Sequence, residues 1–305
     1  MSSSFAALFS LPGADAPPER PGERLHLFRP AHLPETDWFA AADSARMWRV
    51  YHEQYTFCVL PPEDNARDAG ALYSYRSSDV RCRPAAAYFY EPDTVHANRT
   101  IYRAAAFYVV RVDTATVVEL ARELGLGERP HLRTAESPSP RLLRRFEALT
   151  ASLSDPDPLL AETRLVELLR AVLREVGEVR PVEPACAQTA VARAREYLHA
   201  RVLEPVTLDE LARVAGLSRY HLVRSFRAVH GLAPHAYLSA LRCARVRRLL
   251  LAGVPPVAIE AGFFDQSHLT RHFVRAFGMT PAAFQRALAI AVRPAAELTA
   301  GARMS

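Results

Sequence analysis

Residues 212–234, ARVAGLSRYHLVRSFRAVHGLAP, recur in altered form as residues 258–281, AIEAGFFDQSHLTRHFVRAFGMTP. Ala212 and Gly216 match Ala258 and Gly262. Leu222 and Phe226 match Leu269 and Phe273, and Gly231 and Pro234 match Gly278 and Pro281. The second copy has one extra residue inside its turn. Each copy reads as a short helix, a tight turn at glycine and a second helix, which is the helix-turn-helix pattern. The small alanines let the two helices approach, and the glycines permit the turn. Leu222 with Phe226, and Leu269 with Phe273, lie one helical turn apart and face the core. That leaves Arg219, Tyr220, Val223, Arg224 and Arg227 facing outward on the first second-helix, and Gln266, Ser267, Thr270, Arg271 and Arg275 on the other.

Those outward side chains suit a nucleic acid. Arginine pairs bidentately with guanine, glutamine pairs with adenine, and serine and threonine are adaptable readers. The N-terminal turns of such helices enter the major groove, so Arg219, Tyr220, Gln266, Ser267 and Thr270 lie nearest the bases, with Arg224 and Arg271 one turn further on. His221, His268 and the later arginines fall at phosphate-contacting positions, which orient a protein without reading sequence. Charge agrees. Residues 1–184 carry 22 Arg against 26 Asp and Glu, whereas residues 185–305 carry 16 Arg against 7. The chain has no lysine, so every cationic side chain is Arg or His. The competing interpretation, two solvated helices with ordinary core aromatics, does not account for two units with matched landmarks in the basic half.

The length of 305 residues fits two domains of about 150 each. No apolar run approaches the ~20 residues of a membrane span. Cys58, Cys82, Cys186 and Cys243 are scattered without a CxxC pair, which fits free thiols in a reducing cytoplasm rather than a disulfide framework or a zinc site. Residues 1–24, rich in Pro, Ser and Ala, read as a flexible arm. Residues 25–176 form a first domain. MWRVYHEQYTFCVL (47–60), LYSYRS (72–77), AAYFYEP (86–92) and IYRAAAFYVVRV (101–112) predict strands of a small sandwich or barrel. Helices follow over Thr114–Leu124, Arg141–Leu153 and Leu159–Val176. The stripes Leu142, Phe146, Leu149, Leu153 and Leu165, Leu169, Val172, Val176 are either core of this domain or a homodimer seam. Residues 177–187 read as a linker. Residues 188–292 read as seven helices, with Thr207, Ser218 and Asp265 at N-caps, a long helix from Pro234 to Ala252, and a short one over Pro255–Ala261.

The stretch TLDELARVAGLSRYHLVRSFRAVHGLAPHAYLSALRCARVRRLLLAG followed by VAIEAGFFDQSHLTRHFVRAFGMTPAAF resembles the DNA-binding domain of the AraC/XylS family of bacterial transcription regulators. The resemblance covers about 100 residues and implies an all-α C-terminal domain whose long helix joins two helix-turn-helix units. It puts Tyr220, Arg224, Gln266, Thr270 and Arg271 at base-reading positions, with apolar Val223 where some relatives carry a polar reader. The N-terminal half resembles the family's cupin-like sensor domain through Tyr90-Glu91-Pro92-Asp93-Thr94-Val95-His96, with Asp93 in place of a glycine. That likeness implies a β-barrel or sandwich that binds a small effector and mediates dimerisation. His52, Tyr55, Tyr73, Tyr75, Tyr88 and His96 are its candidate ligand residues, with Trp48 and Tyr90 beside them.

Two lone histidines fall short of a three-ligand metal site, so neither metal nor cofactor is expected, and the protein is not expected to be an enzyme. The resemblance implies a cytoplasmic regulator, double-stranded promoter DNA and a small-molecule effector as partners, a homodimer, no membrane, and RNA polymerase as a further partner for an activator. The alternatives weighed are a cupin-type metalloenzyme domain fused to a DNA-binding module, and a nucleoid-type binder without sequence preference. The uncharged readers Gln266, Ser267 and Thr270 speak against the latter.

Overall fold

The computed structural model describes residues 4–76, 78–128, 130–179, 187–254 and 258–291. The chain opens with helix α1 (Ser4–Leu8) and strands β1 (Gly13–Ala16), β2 (Arg24–Phe28) and β3 (Thr36–Ser44). Strands β4 (Arg49–His52), β5 (Tyr55–Leu60), β6 (Gly70–Tyr75), β7 (Ser78–Arg81), β8 (Ala86–Tyr90), β9 (Thr94–Arg103) and β10 (Ala105–Val112) follow. Helix α2 (Thr114–Glu123) leads to two-residue strands β11 (His131–Leu132) and β12 (Glu136–Ser137), then helices α3 (Pro140–Ser152) and α4 (Pro158–Val176) and strand β13 (Gly177–Glu178). The C-terminal domain is built from α5 (Ala187–Ala200), α6 (Leu208–Ala215), α7 (Arg219–His230), α8 (Pro234–Leu251), α9 (Gln266–Phe277) and α10 (Pro281–Ala291).

Two antiparallel sheets make the N-terminal domain. One has the order β1-β2-β3-β10-β5-β8-β12, the other β4-β9-β6-β7. Side-chain alternation along β10 explains the layering. Ala106, Tyr108, Val110 and Val112 face a core shared with α1 to α4, while Phe107, Val109 and Arg111 face the space between the sheets. The large sheet is therefore covered on both faces. Leu142, Phe146, Leu149 and Leu153 of the α3 stripe, and Leu165, Leu169, Val172 and Val176 of α4, are all buried in that core. Both stripes serve the chain's own packing, the first of the two alternatives.

Residues 4–24 differ from the flexible arm expected. Phe5 and Leu8 are buried in the same core, and β1 pairs with β2 in register Gly13–Phe28 to Ala16–Leu25. The apolar pair Phe5 and Leu8, one turn apart, outweighs the Pro and Ser content around it; burying two such side chains stabilises by roughly 1.5–3 kcal/mol each. Of the expected linker, Gly177 and Glu178 pair with β11, and residues 180–186 lie outside the described residues.

The two helix-turn-helix units close their turns identically. In the first, the N–H of Leu217 bonds the carbonyl of Ala212 at 3.0 Å and that of Gly216 bonds Arg213 at 3.1 Å. In the second, Phe263 bonds Ala258 and Gly262 bonds Ile259, both at 2.9 Å. Gly216 and Gly262 sit at φ +69° and +81°, the left-handed conformation that this helix end requires. Residues 258–262 form turns in place of the short helix expected from Pro255 to Ala261, and residues 255–257 lie outside the described residues. The second unit thus keeps the closing bonds without a regular helix before them.

The two domains share cores. Leu25, Leu27, Phe39 and Ala41 of the large sheet pack with Val246 and Leu250 of α8 and with Leu269, Phe273 and Phe277 of α9. Tyr51, Val95 and Ala97, on the outer face of the small sheet, pack with Leu222, Phe226, Tyr237 and Leu238 of the first unit. At their junction Asp37 of β3 accepts from Arg111 at 2.7 Å and from Arg247 of α8, with the Arg247 and Asp37 side chains each 5% exposed. Burial alone would raise the Asp37 pKa. Arg247 and Arg111 outweigh it and hold the carboxylate below its usual range.

The turn glycines are not equivalent. A Cβ on Gly216 would stand 3.5 Å from the nearest atom, a side-chain nitrogen of Arg193, whereas one on Gly262 would stand 2.7 Å from Arg242 Nε and 3.0 Å from the Val202 carbonyl. Gly216→Ala is expected to cost about 1 kcal/mol, from its left-handed backbone alone, and Gly262→Ala at least about 1 kcal/mol more. Urea unfolding of the two variants checks the difference, and equal losses would contradict it.

Candidate nucleic-acid interface and sensor cavity

Local chemistry sets how α7 and α9 present themselves. Ser218 Oγ accepts from the N–H of His221 at 3.3 Å, and Asp265 Oδ1 from that of His268 at 2.6 Å. Each helix therefore starts on a side-chain cap. At the other end Gly231 and Gly278 are left-handed, at φ +72° and +75°, and return their N–H groups to Arg227 and Val274. Leu222, Phe226, Leu269 and Phe273 are fully buried, so the opposite faces point to solvent. On α7, Arg219, Tyr220, His221, Arg224 and Arg227 are exposed and Val223 is half-buried. On α9, Gln266, Ser267, Arg271 and Arg275 are exposed, and Thr270 and His268 are half-buried.

Two residues depart from the simple outward set. Arg219 pairs with Asp209 of α6 at 3.2 Å, both ends exposed; such a pair is worth under about 1 kcal/mol and yields easily to a phosphate. His268 turns back on its own turn: its Nδ1 accepts from the Phe264 N–H at 3.3 Å, and its ring stands edge-on to Phe263 and His272. One ring nitrogen is thereby spent inside the protein, and Nε2 is the atom left for the phosphate contact expected of His268.

The sequence alone did not disclose two further features. Phe264, 86% exposed, sits just ahead of α9, as Tyr220, 72% exposed, sits in the first turn of α7. Each recognition helix thus begins beside a solvent-facing aromatic ring. Arg49 of β4 is pushed below the usual arginine range by burial and by the charges of Arg275 and Arg227. An arginine of the N-terminal domain therefore joins the later arginines of both helices. These three residues come from three separate elements, so no spacing in the sequence announces them.

Between the sheets lies a cavity of about 100 Å³. Of the expected ligand residues, His52, Tyr73 and His96 line it, along with Trp48 and Tyr90. Tyr55, Tyr75 and Tyr88 do not. Tyr55 faces the helices and donates to the Pro130 carbonyl at 2.8 Å. The Tyr75 hydroxyl accepts the Glu91 N–H at 3.0 Å, and that of Tyr88 bonds the backbone of Arg83. The period-two pleat sends Tyr55 and Tyr90 to opposite faces, and because both faces are buried, aromatic content could not tell them apart. Asp93, expected at the position of a glycine, adopts φ +63°. Its carboxylate accepts from the Tyr51 hydroxyl at 2.6 Å, a local bond that helps an aspartate hold that conformation.

Two cavity walls come from the other domain. Ala276 and Phe277, the last residues of α9, line the cavity. The Gly278 carbonyl accepts from Arg46, which is itself held by Glu23 at 2.8 Å. His52 and His96 stack on Tyr90 at ring distances of 4.5 and 4.7 Å and contact one another at 2.7 Å. Burial, then His96 and Arg111, hold the His52 pKa well below its usual value. Burial and Arg111 take His96 down to about 3. Both rings are neutral at neutral pH.

Residues 211–287 match the family described as a helix-turn-helix domain. The chain is 33% identical over 142 residues to an uncharacterized HTH-type transcriptional regulator, YbfI of Bacillus subtilis (strain 168), covering 43% of this chain and 51% of that one. It is 31% identical over 160 residues to the virulence regulon transcriptional activator VirF of Yersinia enterocolitica, covering 47% and 55%. The chain spans about half the length of these curated relatives. Among solved structures it is similar to ToxT from Vibrio cholerae, at 8% identity and a TM-score of 0.47 over 88% of this chain and 99% of that one. No helix among the described residues is long and apolar enough to cross a membrane.

The neutral histidines carry a pH signature. His230 and His272 are also lowered by burial, to about 4 each. In the unfolded chain all four take up protons near pH 6.5, while the folded protein resists until well below that. Their contribution is thus fully present above about pH 6.5 and is lost as pH falls toward the folded values. The thermal midpoint is expected to be flat above about pH 7 and to fall steadily between about pH 6.5 and 5.5, with a shallower fall in His96→Asn. A midpoint that rises over that interval would contradict the assignment.

Proposed function

We propose that the chain is a sequence-specific DNA-binding transcription regulator of the AraC/XylS type, with its helix-turn-helix domain over residues 211–287 and a small-molecule sensor at its N-terminus. The observation that carries this reading is the matched pair of recognition helices. Each is capped at its N-terminal end by a side chain, anchored by a buried Leu/Phe pair, and presents arginine together with uncharged readers to solvent. Arg224 and Tyr220 on α7, and Gln266, Thr270 and Arg271 on α9, read bases in successive stretches of major groove. Arg227 and Arg275 neutralise phosphates, which set affinity and its salt dependence.

The output is regulatory. An effector in the cavity shifts the balance between arrangements of the two domains in proportion to its differential affinity for them. The chain acts by binding and not by bond chemistry, in the cytoplasm where its promoter DNA lies. It works as a homodimer whose contact lies outside the buried stripes of α3 and α4, and it meets RNA polymerase where it activates. His52 and His96 supply two imidazoles, one short of the three protein ligands of a typical catalytic metal site, and this weighs against the metalloenzyme alternative.

Base reading and phosphate contact separate experimentally. With an operator selected from random duplexes, Arg271→Ala and Arg224→Ala are each expected to weaken binding by roughly 1–3 kcal/mol and to relax preference at one base position. Arg275→Ala is expected to weaken all duplexes alike and to reduce the salt slope by about one. If Arg271→Ala and Arg224→Ala left both affinity and base preference intact, the base-reading roles would be wrong.

A further inference from the structure

The cavity holds hydrogen-bonding groups that the chain itself leaves unused, and their proton positions follow from their neighbours. The Gln54 carbonyl accepts from the Thr56 hydroxyl at 3.1 Å. Having given away its only proton, Thr56 Oγ1 can only accept at its 3.1 Å contact with His52 Nδ1, so His52 carries its proton there. His52 Nε2 is then a bare lone pair, and its 2.7 Å contact to His96 Nδ1 requires the proton on His96. One nitrogen of the neutral His96 remains. Its Nε2 is an acceptor without a protein donor, on a ring that lines the cavity.

A second unused group stands nearby. Tyr73 is buried to 1% exposure, its ring 5.6 Å from that of His96. Its hydroxyl neighbours the Tyr90 phenol but makes no well-formed hydrogen bond. A buried polar group left so costs about 1–3 kcal/mol, which a ligand atom can recover. The buried charged groups of the wall offer nothing comparable to an ion: Arg111 is held by Asp37 at 2.7 Å and Arg46 by Glu23 at 2.8 Å, while Arg103, more than half exposed with its partner Asp68, stands at the solvent-facing rim. The remaining wall is apolar, with Phe39, Val50, Phe107, Val109 and Phe277 among its residues.

We propose that the cavity binds a neutral, largely apolar molecule bearing one hydroxyl, which donates to His96 Nε2 and accepts from the Tyr73 hydroxyl while Phe277 of α9 closes over its apolar body. The ligand class stands on the cavity alone; that its occupancy is felt at the DNA rests on the regulator reading. The route is short. Phe277 is followed by Gly278, where a Cβ would stand 2.6 Å from the Trp48 ring, so the end of the second recognition helix is packed directly on the ligand's wall.

Calorimetric titration of the full-length protein at about pH 7.5 tests this with 4-propylphenol, 4-propylanisole and 4-propylbenzoate. These share a body and differ as hydroxyl, ether and anion. The phenol is expected to bind at least about tenfold more tightly than either analogue. Tyr73→Phe and His96→Ala should each cut the phenol-over-anisole preference to under about threefold, and Phe277→Ala should weaken all three probes together. Tightest binding by the benzoate, equal binding of phenol and anisole, a preference that survives Tyr73→Phe, or no binding of any probe would each overturn the proposal. Operator binding by the same preparations keeps the two readings apart. Lost sequence preference with intact phenol preference fails the regulator reading, and the reverse fails only the ligand class.

Discussion

Arg247, from the C-terminal half of the helix that joins the two helix-turn-helix units, reaches the carboxylate of Asp37 in the large sheet of the N-terminal domain. Much of the architecture depends on that contact. In a buried setting an ion pair adds little net stability compared with apolar residues, but breaking one costs about 3–5 kcal/mol because the survivor is left charged and dry. The pair therefore specifies a position more than it supplies stability. With α8 held at the sheet, the first unit lies on the small sheet through Tyr51, Val95 and Ala97. The second lies on the large sheet through Leu25, Leu27 and Phe39. The sensor domain thus touches both recognition helices at their C-terminal ends and leaves their N-terminal ends free.

This arrangement changes what the duplication means. Two units of matched sequence are held by different partners. The end of α7 at Gly231 lies against Ser74 of β6, whereas the end of α9 closes the sensor cavity with Ala276 and Phe277. Their reading faces differ as well, a half-buried Val223 on one and Gln266, Ser267 and Thr270 on the other. The second unit combines the more polar outward face with the direct tie to the cavity, so in the proposed regulator a ligand would act first on that helix.

Local determinants were legible in the sequence. Gly216, Gly262, Ser218 and Asp265 act through bonds to residues three to five positions away, so their spacing sufficed to place the turns and helix starts. The strands over 47–60 and 101–112 announced themselves by β-branched and aromatic content. What escaped was set by contacts distant along the chain. Asp37 and Arg247 are separated by 210 residues, and neither is unusual in its own neighbourhood. Phe5 and Leu8 lie in a stretch whose composition suggests disorder, yet they meet a core assembled mostly from residues beyond 28. The cavity was half legible. His52 and His96 line it, but Tyr55 takes the other buried face of its sheet, and Tyr75 and Tyr88, on the same face as Tyr73, spend their hydroxyls on backbone, which no single strand reveals.

The central claim is that one chain reads two adjacent groove segments with α7 and α9. Hydroxyl-radical footprinting of the full-length protein on its selected operator, combined with missing-base interference, tests it most directly. The account predicts two patches of protection and interference per bound chain, centred about one helical turn, roughly 10 base pairs, apart on one face of the duplex. Arg224→Ala should erase interference in one patch and Arg271→Ala in the other. A single patch, or uniform protection without any base whose loss matters, would contradict it.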